Sequence, residues 1–106
     1  MVPPPYVIES DVLKEAGEYF KSDDLEDVIN GLKNTPLWAD FAGPPPRIHI
    51  AMIWKSKGDL QTFQNLLKYE AGDWRDLLGE TGLANENWKE VLVQRGLHPE
   101  SWMRTK

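Results

Sequence analysis

Arg75 and Lys89 are cations at helix positions that disfavour them. Each follows a tryptophan, Trp74 or Trp88, and each tryptophan follows a good helix-starting residue, Asp73 or Asn87. A positive charge in the first turn opposes the helix macrodipole by roughly a few tenths of a kcal/mol. Local violations of this kind can mark a task elsewhere in the fold or at its surface. Three readings stay open. The two cations pair with the acidic face of residues 11–30 and staple the halves of the chain together, or they recognise a partner, or they decorate the surface. Five tryptophans are a heavy load for 106 residues, and aromatic side chains dominate both cores and interfaces. Trp102, close to the end of the sequence, is the best placed for partial exposure. Trp74, Arg75, Trp88, Lys89 and Trp102 therefore form the candidate partner-binding set.

Other chemistry is sparse. His49 and His98 are the only histidines, and no cysteine exists. A protein metal site takes about three or four ligands, and neither histidine has a partner at ligand spacing. No metal, cofactor-binding or catalytic residue is assigned. His49 sits in an apolar run and reads as a core or boundary histidine. No serine lies in a nucleophile elbow, and neither the phosphate-cradling nor the dinucleotide-binding glycine pattern is present. Catalytic carboxylates come from distant positions, so a small enzyme using His49 or carboxylates in a cleft between two lobes remains an alternative.

A second alternative is DNA binding. Residues 77–92 look like a helix-turn-helix, with Gly82 in the turn and Leu77, Leu83, Trp88 and Val91 as its apolar positions. Leu78 stands where such motifs usually take a small residue. The would-be recognition helix begins Asn85-Glu86-Asn87-Trp88-Lys89-Glu90, with two acids facing phosphate and base edges. The net charge of −5 weakens the reading further, because phosphate backbones repel an acidic surface.

These candidates must be positioned by helices. Asp59, Asp73, Asn87 and Ser101 fall 14 residues apart, and each can accept a hydrogen bond from a free N–H of a first helical turn. Leu60, Trp74, Trp88 and Trp102 follow them. Gly58, Gly72, Gly82 and Gly96 supply the stops, and Gly82-Leu83 and Gly96-Leu97 read as Schellman ends, with leucine folding back onto the last turn. The spacing is either a true repeat or the ordinary punctuation of short helices; both give short helices turning sharply on one another.

Upstream, Ser10 caps a helix whose Val12, Leu13, Ala16, Tyr19 and Phe20 recur at helical spacing, with Asp11, Glu15 and Glu18 between them. Ser22 or Asp23 starts a second helix with Leu25, Val28, Ile29 and Leu32 on one face, and Gly31 is placed to close it. Thr35-Pro36 opens a third, very short helix carrying Leu37, Trp38 and Phe41. Residues 47–54 fit two periods. With period two, Ile48, Ile50, Met52 and Trp54 share a strand face. With period 3.6, Ile50, Ile53 and Trp54 share a stripe that Ala51 and Met52 extend. Helix is chosen over 47–57, because no other segment alternates and a strand would lack a partner.

The acidity belongs to the first half. Residues 1–53 carry Glu9, Asp11, Glu15, Glu18, Asp23, Asp24, Glu26, Asp27 and Asp40 against Lys14, Lys21, Lys33 and Arg47, whereas the remainder is neutral. This run reads as a solvated face, with a docking surface for a basic partner as the sharper reading. No stretch approaches the roughly 20 apolar residues of a membrane span, and no targeting segment is evident. A cytoplasmic protein is expected.

From Arg47 onward the pattern resembles a group of small bacterial proteins with no assigned activity. The features that carry the resemblance are an Arg-apolar-apolar helix, the Gly58-Asp59-Leu60 break, and Asp73-Trp74-Arg75-Asp76-Leu77-Leu78 ending in Gly82-Leu83. It covers residues 47–97 and implies a helical fold and a bacterial origin, with no site residues to carry across.

The expected architecture is all-α: a compact bundle of about six or seven short helices in one domain, residues 1–106. It has two packed lobes, 6–43 and 47–106, around a proline-rich break at 44–46. The expected function is a non-catalytic module that binds a protein partner, with no cofactor and no membrane; DNA binding through residues 77–92 and a small enzyme are the alternatives.

Overall fold

The computed structural model describes residues 6–35, 45–69 and 74–102; the side chains of residues 69, 74 and 75 lie outside the described set. Among the described residues the chain forms seven helices and no strand: α1 (Ser10–Tyr19), α2 (Ser22–Asn34), α3 (Pro45–Ser56), α4 (Leu60–Tyr69), α5 (Trp74–Thr81), α6 (Trp88–Gln94) and α7 (Pro99–Trp102). The all-α bundle expected from the sequence is the architecture found. The short helix expected after Thr35, and the caps expected at Gly72 and Asp73, fall outside the described residues.

The helix α3 is the axis of the fold. It packs against α1, α4 and α5, and it buries Pro46, Ile48, His49, Ile50, Ala51, Met52, Ile53 and Ser56. These residues point in every direction around the helix. A helix covered on all sides has no single apolar stripe, which is why its residues satisfied both a strand and a helix period. Pro45 and Pro46 form its first turn, where a missing N–H costs nothing. Helix α1 packs on α3, and α2 packs on both α1 and α4, so the apolar core runs continuously across the proline break.

Helix α1 keeps Val12, Ala16, Tyr19 and Phe20 of its expected face on the core and departs from it at Leu13. Its buried residues are Asp11, Val12, Glu15 and Ala16, whereas Leu13 is half-exposed. Two carboxylates thus point inward, and the leucine beside them points out. Ser10 is the first helical residue rather than the cap; Glu9 holds the cap position without a side-chain hydrogen bond.

Helix α2 buries Val28 and Leu32, with Leu25 and Ile29 packed beside them, as expected. Gly31 does not end it. The helix continues to Asn34, and a Cβ at Gly31 would press on Leu67 and Phe63 of α4. Its role is close helix approach.

The punctuation downstream is partly as expected. Asp59 accepts the Thr62 N–H at 3.0 Å and the Thr62 hydroxyl, and these bonds hold its carboxyl below the usual range. The Leu83 N–H reaches the Leu78 carbonyl at 3.0 Å, and the Leu97 N–H reaches the Leu92 carbonyl at 3.0 Å. Gly82 and Gly96 are left-handed, at φ 80° and 83°, so both ends are Schellman motifs. Asn87 stands at the cap of α6 without a side-chain bond. Ser101 begins nothing. Helix α7 starts at Pro99, and the Ser101 hydroxyl donates back to the His98 carbonyl at 2.7 Å. Proline at the first helical position overrode the 14-residue spacing.

Candidate functional site

Four helices end around one pocket of about 500 Å³. It is lined by Tyr19 from the last turn of α1, Trp54 from the last turn of α3, Glu80 and Thr81 closing α5, and Val91, Gln94 and Arg95 at the end of α6. Each helix carries roughly half a negative charge at its C-terminus, so the backbone alone makes this corner attractive to cations.

Glu15 anchors the site from α1. It is fully buried. Its Oε1 accepts the Trp54 indole N–H at 2.8 Å and an Arg95 guanidinium N–H at 3.0 Å. Its Oε2 is buried with no hydrogen-bond partner. Arg95 also lies 3.5 Å from Glu18, and its guanidinium carbon sits 5.9 Å from the Tyr19 ring centroid and 5.7 Å from that of Trp54. The Glu15 hydrogen bond and charge raise the Arg95 pKa above its ordinary value. On the rim, Lys55 pairs with Glu80.

The second pocket, about 560 Å³, lies along α6 and is lined by Glu86, Lys89, Glu90, Val93, Gln94 and Glu100. Gln94 borders both pockets, and Val93 is 57% exposed.

Among the candidate partner-binding residues, the structure brings Trp88, Lys89 and Trp102 together. The Trp88 and Trp102 rings stack with centroids 6.0 Å apart and planes 27° apart. Trp88 is buried. Arg47 lies over its ring at 4.6 Å while donating to the Leu83 carbonyl from Nε at 2.9 Å. Lys89 lies 3.8 Å from Glu100 and 6.0 Å from the Trp88 ring centroid, so it does not reach the acidic face of residues 11–30. The side chains of Trp74 and Arg75 lie outside the described residues. Among the described side chains, Arg95 pairs with the acids of α1 across the two halves of the chain. Arg95 follows α6, and nothing in its neighbourhood in the sequence points to Glu15, 80 residues away.

A second buried acid fixes α7. Asp11 Oδ2 accepts the His98 backbone N–H at 2.7 Å and the Trp102 indole N–H at 2.8 Å. We expect Asp11→Ala to cost about 2 kcal/mol, since charged acceptors of buried donors contribute about 1.5–3 kcal/mol each and α7 can partly relax. Trp102 should become solvated. A red-shifted Trp emission together with faster hydrogen exchange at the His98 amide would bear this out, and an unchanged His98 amide would refute it.

His49 is buried against the edge of Tyr6, with ring centroids 5.6 Å apart. Neither ring nitrogen has a partner, and burial pushes its pKa down to about 4. It lines neither pocket. Among the described residues no cluster of three or more His, Asp or Glu side chains is placed to hold a metal ion, and no helix is long and apolar enough to cross a membrane. The helix-turn-helix segment resolves into α5, residues 82–87, and a seven-residue α6 that begins at Trp88 rather than Asn85.

No family model, curated protein or solved structure matches this chain.

Proposed function

We propose that this chain is a non-catalytic protein-interaction module whose recognition face is α6 and the two pockets beside it. The observation that carries the reading is the pairing of those pockets across Gln94, with the exposed Val93 standing in the second. Concave sites with apolar walls and a few convergent polar groups are the usual places for a ligand or an anchor side chain, and aromatic and arginine side chains concentrate interface energy. Lys89 belongs to this face, with the Trp88–Trp102 stack as its support. The absence of cysteine and of any long apolar helix in the described residues supports a cytoplasmic setting.

Nucleic acid fits the face poorly. The second pocket presents Glu86, Glu90 and Glu100 against Lys89 alone, and phosphate would be repelled. His49 lines neither of these two pockets, so this face gives an enzyme built on it no support.

The test is position-specific. A photo-crosslinking amino acid is placed at Val93, at Gln94, or at the exposed Glu26 of α2, in the cells that carry the gene. A discrete crosslinked protein at positions 93 and 94, absent at 26 and reproduced with the purified pair, supports the reading. Equal or absent crosslinking at all three positions rejects it.

A further inference from the structure

The geometry points to a specific group recognised at the first pocket: we propose that the pocket lined by Tyr19 and Trp54, with Glu15 buried behind them and bonded to Trp54 and Arg95, receives a guanidinium side chain from a basic segment of the partner, and that Arg95 of this chain holds that place until then. The inference rests on the interaction reading above and names its chemistry.

Four observations converge on a cation. The C-terminal ends of α1, α3, α5 and α6 meet here, and their dipoles sum to a negative potential. Lys14 already answers it, with Nζ 3.5 Å from the Gly96 carbonyl just beyond α6. Among the pocket-lining residues and the groups they bind, the carboxylates Glu15, Glu18 and Glu80 outnumber the cations Arg95 and Lys55. An anionic ligand would add to that excess and a cation would relieve it. Two aromatic faces, Tyr19 and Trp54, already hold a guanidinium at cation–π range.

The buried Glu15 narrows the cation to a fork donor. One of its oxygens takes both available donors, and the other takes none. Arg95 reaches this carboxylate from the side, through one terminal nitrogen, and turns toward Glu18 at 3.5 Å. A guanidinium entering through the pocket could span both Glu15 oxygens, the paired geometry that arginine favours and an ammonium cannot make. Arg95 can yield its place, because its side chain is 41% exposed and it sits just past the last turn of α6. The acids of the neighbouring pocket then suit the residues that flank an arginine in a basic segment.

The probe is N-acetyl-arginine amide, with N-acetyl-citrulline amide as a control of the same shape and no charge. The readout is the Trp54 indole N–H signal in NMR. The wild-type chain should show weak, roughly millimolar binding. Arg95→Ala should bind about tenfold tighter, since the competent fraction of the cleft rises when the internal competitor is removed. Arg95→Gln serves as a second variant that keeps the stem of the side chain, and it should behave likewise. Adding Glu15→Gln to Arg95→Ala should abolish the gain. No Trp54 response in either Arg95 variant, or an equal response to citrulline, overturns the inference. Crosslinking at Gln94 without arginine binding would sink this inference and leave the interaction reading standing. Arginine binding without any crosslinked protein would support the cleft's chemistry and count against that reading.

Discussion

Acidification from pH 7 to pH 4 should remove about 3 kcal/mol of folding stability through His49 alone. The imidazole is buried on the central helix against the edge of Tyr6, and burial holds its pKa near 4 against an ordinary 6.5. Between those values the unfolded chain binds a proton that the native chain refuses. Stability therefore rises with pH across the interval, is fully present above about 6.5, and is lost as the pH falls toward 4. Denaturant unfolding at pH 7, 6, 5 and 4 measures the slope. His49→Leu isolates it: the histidine's share of the slope should vanish, leaving whatever the carboxylates contribute at the acid end. At pH 7 the same variant should be at least as stable as the wild type. Its side chain replaces two buried ring nitrogens that have no partner, and an unpaired buried polar group costs about 1–3 kcal/mol. An identical acid slope in His49→Leu would remove His49 from the explanation.

The histidine's place was readable from its apolar neighbours, and so was much of the fold, wherever the signal was local. Gly82-Leu83 and Gly96-Leu97 announce their own Schellman ends, because the bonds that make them span five residues. Asp59 announces its cap for the same reason. What escaped the sequence depends on distant packing. Asp11, Glu15 and Glu18 look alike along α1, and only the arrival of Trp54, Arg95 and Trp102 decides that the first two face inward and the third does not. Arg95 has no partner in its own stretch of sequence, because its carboxylate lies in the first helix. Among the described residues Lys89, at the suspicious helix position, meets its neighbours Trp88 and Glu100. Gly31 sat where a terminator would sit, and no sequence signal separated that role from close packing against Leu67. The candidate site was therefore legible in its residue types, tryptophan beside cation, and not in which tryptophan and which cation.

Gly58→Ala should cost about 3 kcal/mol of stability, of which about 1 kcal/mol is the left-handed backbone. Helix α3 ends through two successive residues of positive φ, Lys57 at 52° and Gly58 at 85°. The lysine can adopt this region at a penalty, but at Gly58 there is a second obstacle. A Cβ there would strike the carbonyl oxygen of Tyr19, the last residue of α1. That atom is backbone, so no rotamer change relieves the contact and the end of α1 must move away from α3. Gly82→Ala is the matched control. Gly82 has nearly the same φ, 80°, but has nothing within 4 Å of the added carbon, so it should lose only the backbone share of about 1 kcal/mol. The difference between the two midpoints in urea measures the helix–helix clash itself. The displacement should also reach the pocket. Moving the end of α1 carries Tyr19 away from Arg95 and loosens the Trp54 bond to Glu15, so the Trp54 indole signal should shift in Gly58→Ala and stay in place in Gly82→Ala. Equal costs for the two substitutions would mean that the α1–α3 corner yields freely. The meeting of helix ends that shapes the pocket would then be soft rather than fixed by the absence of a side chain at residue 58.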